Sequence, residues 1–158
     1  MLLNDGTGTF RGHWARPDAG LLYGIAVLGD LDGDGDADAV VTNGDRQVQR
    51  PTRILVNDGA GRFTDSGQEL PSVRAGRAVM GDLDGDGAPD LVLTSRGEPF
   101  RVWRNDGRGR LSESGFVATG NLSPFGPVLG DLDRDGDLDL VIAGLAGGPV
   151  EIWWNRRR

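Results

Sequence analysis

A chain of 158 residues with 27 Gly, 8 Pro and no Cys has the makeup of a turn-dense β protein, without a disulfide framework or thiol chemistry. Its 17 basic and 24 acidic residues leave a net charge of −7, and no apolar run is long enough to span a membrane. The acid is concentrated, because 14 of the 24 acidic residues fall in Asp30–Asp38, Asp82–Asp90 and Asp131–Asp139. The low pI therefore says little about the surface that meets a partner.

In chain order, Met1–Leu3 leads into NDGTGTF, Asn4–Phe10. Asn and Gly tolerate positive φ, so Asn-Asp-Gly predicts a turn and a short strand after it. The linker that follows holds the one His, His13, and Trp14. Ala26–Gly29 and Ala39–Thr42 are short apolar runs on either side of DLDGDGDAD, and they predict two buried strands joined in a hairpin. Arg53–Asn57 predicts a third strand, and NDGAGRF, Asn57–Phe63, a turn into a fourth. The series then repeats. Ala78–Gly81, DLDGDGAPD, Leu91–Thr94, Arg101–Asn105 and NDGRGRL (Asn105–Leu111) form the second copy. Pro127–Gly130, DLDRDGDLD, Leu140–Ala143 and Glu151–Asn155 form the third, before the tail Arg156–Arg158. The acidic stretches start 52 and then 49 residues apart. A period near 50 with four strands per unit is the mark of propeller blades.

Each acidic stretch places carboxylates at positions 1, 3, 5 and 9 and Gly at position 6. Carboxylates this close repel one another unless a hard divalent cation, which takes 6–8 oxygen ligands, gathers them. Gly supplies the backbone freedom to wrap the loop. An EF-hand is excluded, because position 12 is Val41, Leu93 or Ile142 where that loop needs a bidentate Glu. Solvated turns would not need to recur three times in register between strands. Three bound calcium ions would move the formal charge from −7 to −1. Small, open hairpins suit an affinity of about 10⁻⁴–10⁻³ M or somewhat tighter.

These motifs resemble the FG-GAP/VCBS repeats of integrin-α-type β-propellers. That family pairs a DxDxDGxxD hairpin with an L-x-N-D-G-x-G-x-F hairpin, as Leu55–Phe63 reads here, and Phe125-Gly126-Pro127 is an echo of its Phe-Gly signature. The resemblance implies side-chain calcium ligands at Asp30, Asp32, Asp34 and Asp38; at Asp82, Asp84, Asp86 and Asp90; and at Asp131, Asp133, Asp135 and Asp139. Position 7 would act through its main-chain carbonyl, at Asp36, Ala88 and Asp137. It also implies an adhesive or protein-binding scaffold at an extracellular or cell-surface location, with about three calcium ions per chain. A carbohydrate-binding propeller lectin is the alternative. No leader is visible before the first turn, so the expectation is a mature or excised segment, or a protein that stays in the cytoplasm.

The expected fold is all-β, one domain over 1–158, with blades of four antiparallel strands at about 21–63, 75–111 and 125–155. Propellers close with 4–8 blades. The third unit lacks a fourth strand and Gly8–Arg11 matches one, so residues 1–11 are expected to complete a blade of the same chain or of a partner. A homodimer would then close a six-bladed ring; the alternative is a fragment of a longer, seven-bladed chain. Catalysis is not expected, since no nucleophile elbow or His-Glu-x-x-His run is present and the paired carboxylates belong to the metal loops. Nucleic acid is not expected either, because the Arg residues are scattered. By strand alternation Trp103 and Trp153 belong between sheets, Trp154 faces the other way, and Trp14 is left as the candidate for a surface contact.

Overall fold

The computed structural model describes residues 3–4, 7, 10–11, 25–42, 50–71, 73, 76–118, 124–144 and 148–156. All regular elements among them are strands. A short hairpin pairs β1 (Leu3–Asn4) with β2 (Phe10–Arg11). Sheet 1 is the meander β3 (Ala26–Gly29), β4 (Asp38–Val41), β5 (Thr52–Asn57) and β6 (Phe63–Leu70). Sheet 2 repeats it with β7 (Arg77–Gly81), β8 (Asp90–Ser95), β9 (Glu98–Asn105) and β10 (Leu111–Val117). Sheet 3 has β11 (Pro124–Gly130), β12 (Asp139–Gly144) and β13 (Val150–Trp153). All pairings are antiparallel, and each acidic stretch is the turn between the first and second strands of its sheet.

The sequence of each strand follows its depth. The second strands of sheets 1 and 2 are covered on both faces: every residue of β4 and β8 is buried. That is why DAVV and DLVLTS carry unbroken β-branched and aliphatic runs in place of alternation. The fourth strand of sheet 1, FTDSGQEL, lies at the sheet edge and is polar apart from its ends. Both fourth strands begin where the turn motif ends and continue farther than the motif indicates, to Leu70 and Val117. Their register slips at a bulge, with Gly67 and Gly115 at equivalent places and φ of 77° and 80°.

Packing between sheets uses the first strands as neighbours: β3 lies against β7, and β7 against β11. Two cores result. Leu31, Val40, Ile54 and Leu70 of sheet 1 meet Ala78, Leu91, Leu93 and Leu111 of sheet 2. Between sheets 2 and 3, Val92 and Phe100 meet Leu140, Ile142 and Trp153. Each such side chain taken out of water contributes about 1.5–3 kcal/mol. Trp153 stands edge-on to both Phe100 and Phe116, with centroids 5.2 and 5.9 Å away. Trp103 packs against the first core and Trp154 is half exposed, as strand alternation requires. Trp14 and His13 lie outside the described residues.

Polar ties reinforce this stacking. Gln68 of sheet 1 brackets Leu111 of sheet 2, donating to its carbonyl through Nε2 and accepting from its N–H through Oε1. Asn105 Nδ2 donates 2.9 Å to Leu31 O across the same interface. Asn155 Nδ2 repeats this from sheet 3 to Leu83 O of sheet 2, at 2.7 Å. Leu31 O also accepts from Gly109 N, so Asn105→Ala leaves it one partner. We expect that substitution to cost about 1–2 kcal/mol, toward the lower end for a buried hydrogen bond, read from the denaturation midpoint. An unchanged midpoint would show the tie to be idle. The β1–β2 hairpin is a separate sheet, and β13 has no fourth strand hydrogen-bonded to it among the described residues.

Candidate metal centres

The acidic loops share a core set of internal bonds. The position-1 carboxylate accepts two backbone N–H groups of the loop. In the first, Asp30 takes Gly33 N at 2.8 Å and Gly35 N at 3.0 Å. Asp82 does so with Gly85 and Gly87, and Asp131 with Arg134 and Gly136. Position 5 accepts the N–H two residues on, as Asp34 does from Asp36, Asp86 from Ala88 and Asp135 from Asp137. Position 3 does likewise in the first and third loops, at Asp32 and Asp133.

Position 9 is different. Asp38, Asp90 and Asp139 are buried, each at 0–1% exposure. One oxygen accepts the N–H of position 2 and the other the N–H of the Asn that ends or follows the third strand. For Asp38 these are Leu31 N and Asn57 N, both at 2.9 Å; for Asp90, Leu83 N at 3.1 Å and Asn105 N at 2.9 Å. For Asp139 they are Leu132 N at 3.0 Å and Asn155 N at 2.9 Å. The acidic loop is thereby bolted to the far end of the third strand. Sequence reading identified the Asn as a turn former and missed this link. Its signal was present, since an Asn stands at the end of the third apolar segment after each position-9 Asp.

The carboxylates converge. Oxygens of Asp30, Asp32 and Asp38 lie within 4.8 Å of one another, as do those of Asp82, Asp84 and Asp86, and of Asp131, Asp133 and Asp139. Positions 1 and 3 thus meet in every loop, joined by position 9 in the first and third and by position 5 in the second. Asp34 and Asp135 are exposed, and neither belongs to its loop's converging trio. Of the position-7 residues, Asp36 and Ala88 are half-buried and Asp137 is buried.

The electrostatics match a cation-binding set. Partial desolvation, then the Asp34 and Asp38 carboxylates, push the Asp32 carboxyl above its ordinary value. Desolvation, with Asp135 and Asp139 adding to it, does the same at Asp133. Burial raises Asp90, assisted by Asp84 and Asp86 and opposed by its two backbone donors. Asp84 Oδ1 is buried with no hydrogen-bond partner, while its Oδ2 pairs with Arg104 at 3.0 Å. An all-oxygen set with an orphaned buried oxygen suits a hard divalent ion such as calcium, for which each carboxylate oxygen keeps a free lone pair. Calcium at each loop would neutralise the repulsion and fix the hairpin turn.

One loop departs from the others at position 4. Gly33 and Gly85 have φ of 79° and 80°, and Arg134 is held at 65° in the same place. A side chain in that left-handed conformation costs about 1–2 kcal/mol. Arg134→Gly is therefore expected to raise stability by about 1 kcal/mol and, by removing a cation beside the carboxylates, to tighten metal binding at the third loop. Thermal melts in calcium and in chelator check both parts.

A model of the FG-GAP-like repeat matches residues 30–93 and again residues 82–142, each match running from the acidic loop of one sheet through the second strand of the next. No curated protein matches the chain. The matched span, 30–142, exceeds half of the chain and contains all three acidic loops. With its loops, hairpins and period in agreement, the chain belongs to the FG-GAP-like repeat family.

Proposed function

We propose that the chain is a calcium-stabilised β-propeller scaffold for adhesion or protein–protein interaction, working at the cell surface or outside the cell. The observation that carries this reading is the threefold recurrence of one loop in which three carboxylates converge on a common point. Family membership supports the scaffold role. The contact of first strand with first strand between neighbouring sheets, with the fourth strands of sheets 1 and 2 at the opposite edge, supports blades of a propeller. The N-terminal hairpin supports the same unit, since Asn4 pairs with Phe10 as Asn57 pairs with Phe63 and Asn105 with Leu111. No helix among the described residues is long and apolar enough to cross a membrane.

The calcium is structural and the chain acts by binding; the grouped carboxylates form the metal set and are not arranged as an acid–base pair on an open substrate site. Isothermal titration with calcium tests the reading: about three ions per chain are expected, and no heat of binding at millimolar calcium would end it. The glycan alternative rests on Trp154, an indole half exposed on sheet 3. A glycan array with and without chelator separates a lectin from a protein scaffold.

A further inference from the structure

We infer that the outer face of sheet 3 is a docking surface for sheet 1 of a second copy of this chain, joined head to tail. The proposal rests on the blade arrangement proposed above. Its evidence is that two interfaces of the same kind already exist within the chain, and that Leu28 on the end face of sheet 1 and Val128, Leu132 and Ile152 on that of sheet 3 are the exposed counterparts of residues packed in them.

Four equivalent positions show it. On the face that sheet 1 turns to sheet 2, Val27, Leu31 and Ile54 are packed into the first core. Their counterparts Val79, Leu83 and Val102 on sheet 2 are packed against sheet 3. The third set, Val128, Leu132 and Ile152 on sheet 3, is 61%, 47% and 48% exposed. The complementary position is Leu28 in sheet 1. Its counterparts Met80 and Leu129 pack into the two cores, while Leu28 is 63% exposed.

The end of the first strand says what fits there. A Cβ added at Gly29 would strike Met80, and one at Gly81 would strike Leu129, because the next sheet approaches so closely. At Gly130 it would meet nothing within 4 Å. Met80 and Leu129 are the counterparts of Leu28, so the residue that suits Gly130 is Leu28 of a second copy. The amide ties give the same answer. Leu31 O receives Asn105 and Leu83 O receives Asn155. The third carbonyl of that series, on Leu132, has no such amide among the described residues. The third Asn, Asn57, reaches no carbonyl of another sheet among the described residues and donates its Nδ2 to Ala37 O in the acidic loop of its own sheet. Asn57 of one copy and Leu132 O of the other complete the set. Two copies joined at both ends form a closed C₂ ring of six blades, within the usual range of 4–8.

Sedimentation equilibrium of the 158-residue chain in millimolar calcium is expected to give a mass about twice 16.8 kDa. Leu28→Asp and Ile152→Asp each place a charge on one of the two faces, at side chains exposed in the single chain. Each is expected to weaken self-association by about 100-fold or more, with the β-sheet circular dichroism and calcium uptake retained. Mixed together, the two variants are expected to pair through one intact joint, the other carrying both charges, and so to associate more tightly than either variant alone but more weakly than wild type. A wild-type monomer at tens of micromolar overturns the proposal. So does a dimer that survives Leu28→Asp, which would mean that sheet 3 packs on itself, or a mixture that associates no more tightly than either variant alone. Calcium uptake is read in the same samples. A chain that binds its ions and stays monomeric therefore overturns the docking alone.

Discussion

Moving the protein from 10 mM calcium into chelator is expected to lower its melting temperature by about 10–30 °C. An ion that binds only the folded state stabilises it by RT ln(1 + [L]/Kd). With Kd of about 10⁻⁴–10⁻³ M, each site contributes roughly 1.4–2.7 kcal/mol at that concentration, and three together about 4–8 kcal/mol. The whole stability of a domain is about 5–15 kcal/mol, and each kcal/mol moves the midpoint of a chain this long by about 2–4 °C. Magnesium should replace calcium poorly, because it dehydrates reluctantly and demands a stricter geometry. The pH dependence should reverse between the two conditions. Asp32, Asp90 and Asp133 have raised carboxyl pKa values in the folded chain. At these three groups the metal-free fold binds protons more readily than the unfolded chain, whereas Asp58, lowered by the Arg62 and Ala60 N–H groups, works the other way. The three groups' contribution to stability is lost as pH rises from about 3.9 through the raised values. With calcium the same carboxylates must be ionised to bind, so stability should rise over that interval. Scanning calorimetry at several pH values, in each condition, checks both signs. Equal melting temperatures in calcium and chelator would remove the structural role of the ion.

The parts of this design that could be read in the sequence are the local ones. Asp30–Asp38 announces its loop because like charges at alternate positions have few other uses, and the apolar runs beside it announce strands because both faces of β4 are buried. The Asn-Asp-Gly turns are equally direct: Asp58 Oδ1 accepts from Ala60 and Arg62, and Asp106 repeats the arrangement with Arg108 and Arg110. The full length of β6 was not legible. FTDSGQEL has few apolar residues to mark it, since it lies at a sheet edge, and its hydrogen bonding is broken by a bulge. Nor were the ties from Asn105 to Leu31 and Asn155 to Leu83 legible. They join residues 74 and 72 apart, well beyond one repeat, and only the stacking of whole sheets brings them together. Arg104 beside Asp84 is of the same kind, because its counterparts Val56 and Trp154 give no hint of an ion pair.

The second large effect separates two kinds of aspartate that the sequence writes identically. Asp90→Asn is expected to lower stability by about 2–4 kcal/mol even in chelator, whereas Asp86→Asn should cost less than about 1 kcal/mol there. Asp90 is buried, and both of its oxygens accept backbone N–H groups, from Leu83 and Asn105. An amide offers one acceptor and sets an NH₂ against the other donor, which leaves a buried N–H unsatisfied at about 1–3 kcal/mol and also removes a charge-assisted bond. Asp86 is exposed and accepts one N–H, from Ala88. Its amide keeps that bond, and exposed substitutions of this kind fall within about 0.5 kcal/mol. In calcium the order should tighten, because Asp86 belongs to the converging trio of its loop and its loss forfeits that site's share of ion binding. Denaturant titrations of both variants, in calcium and in chelator, give four values. A position-9 aspartate that only held metal would show its whole loss in calcium and none in chelator, as Asp86 should. Burial and two backbone donors predict the opposite for Asp90, and by repetition for Asp38 and Asp139.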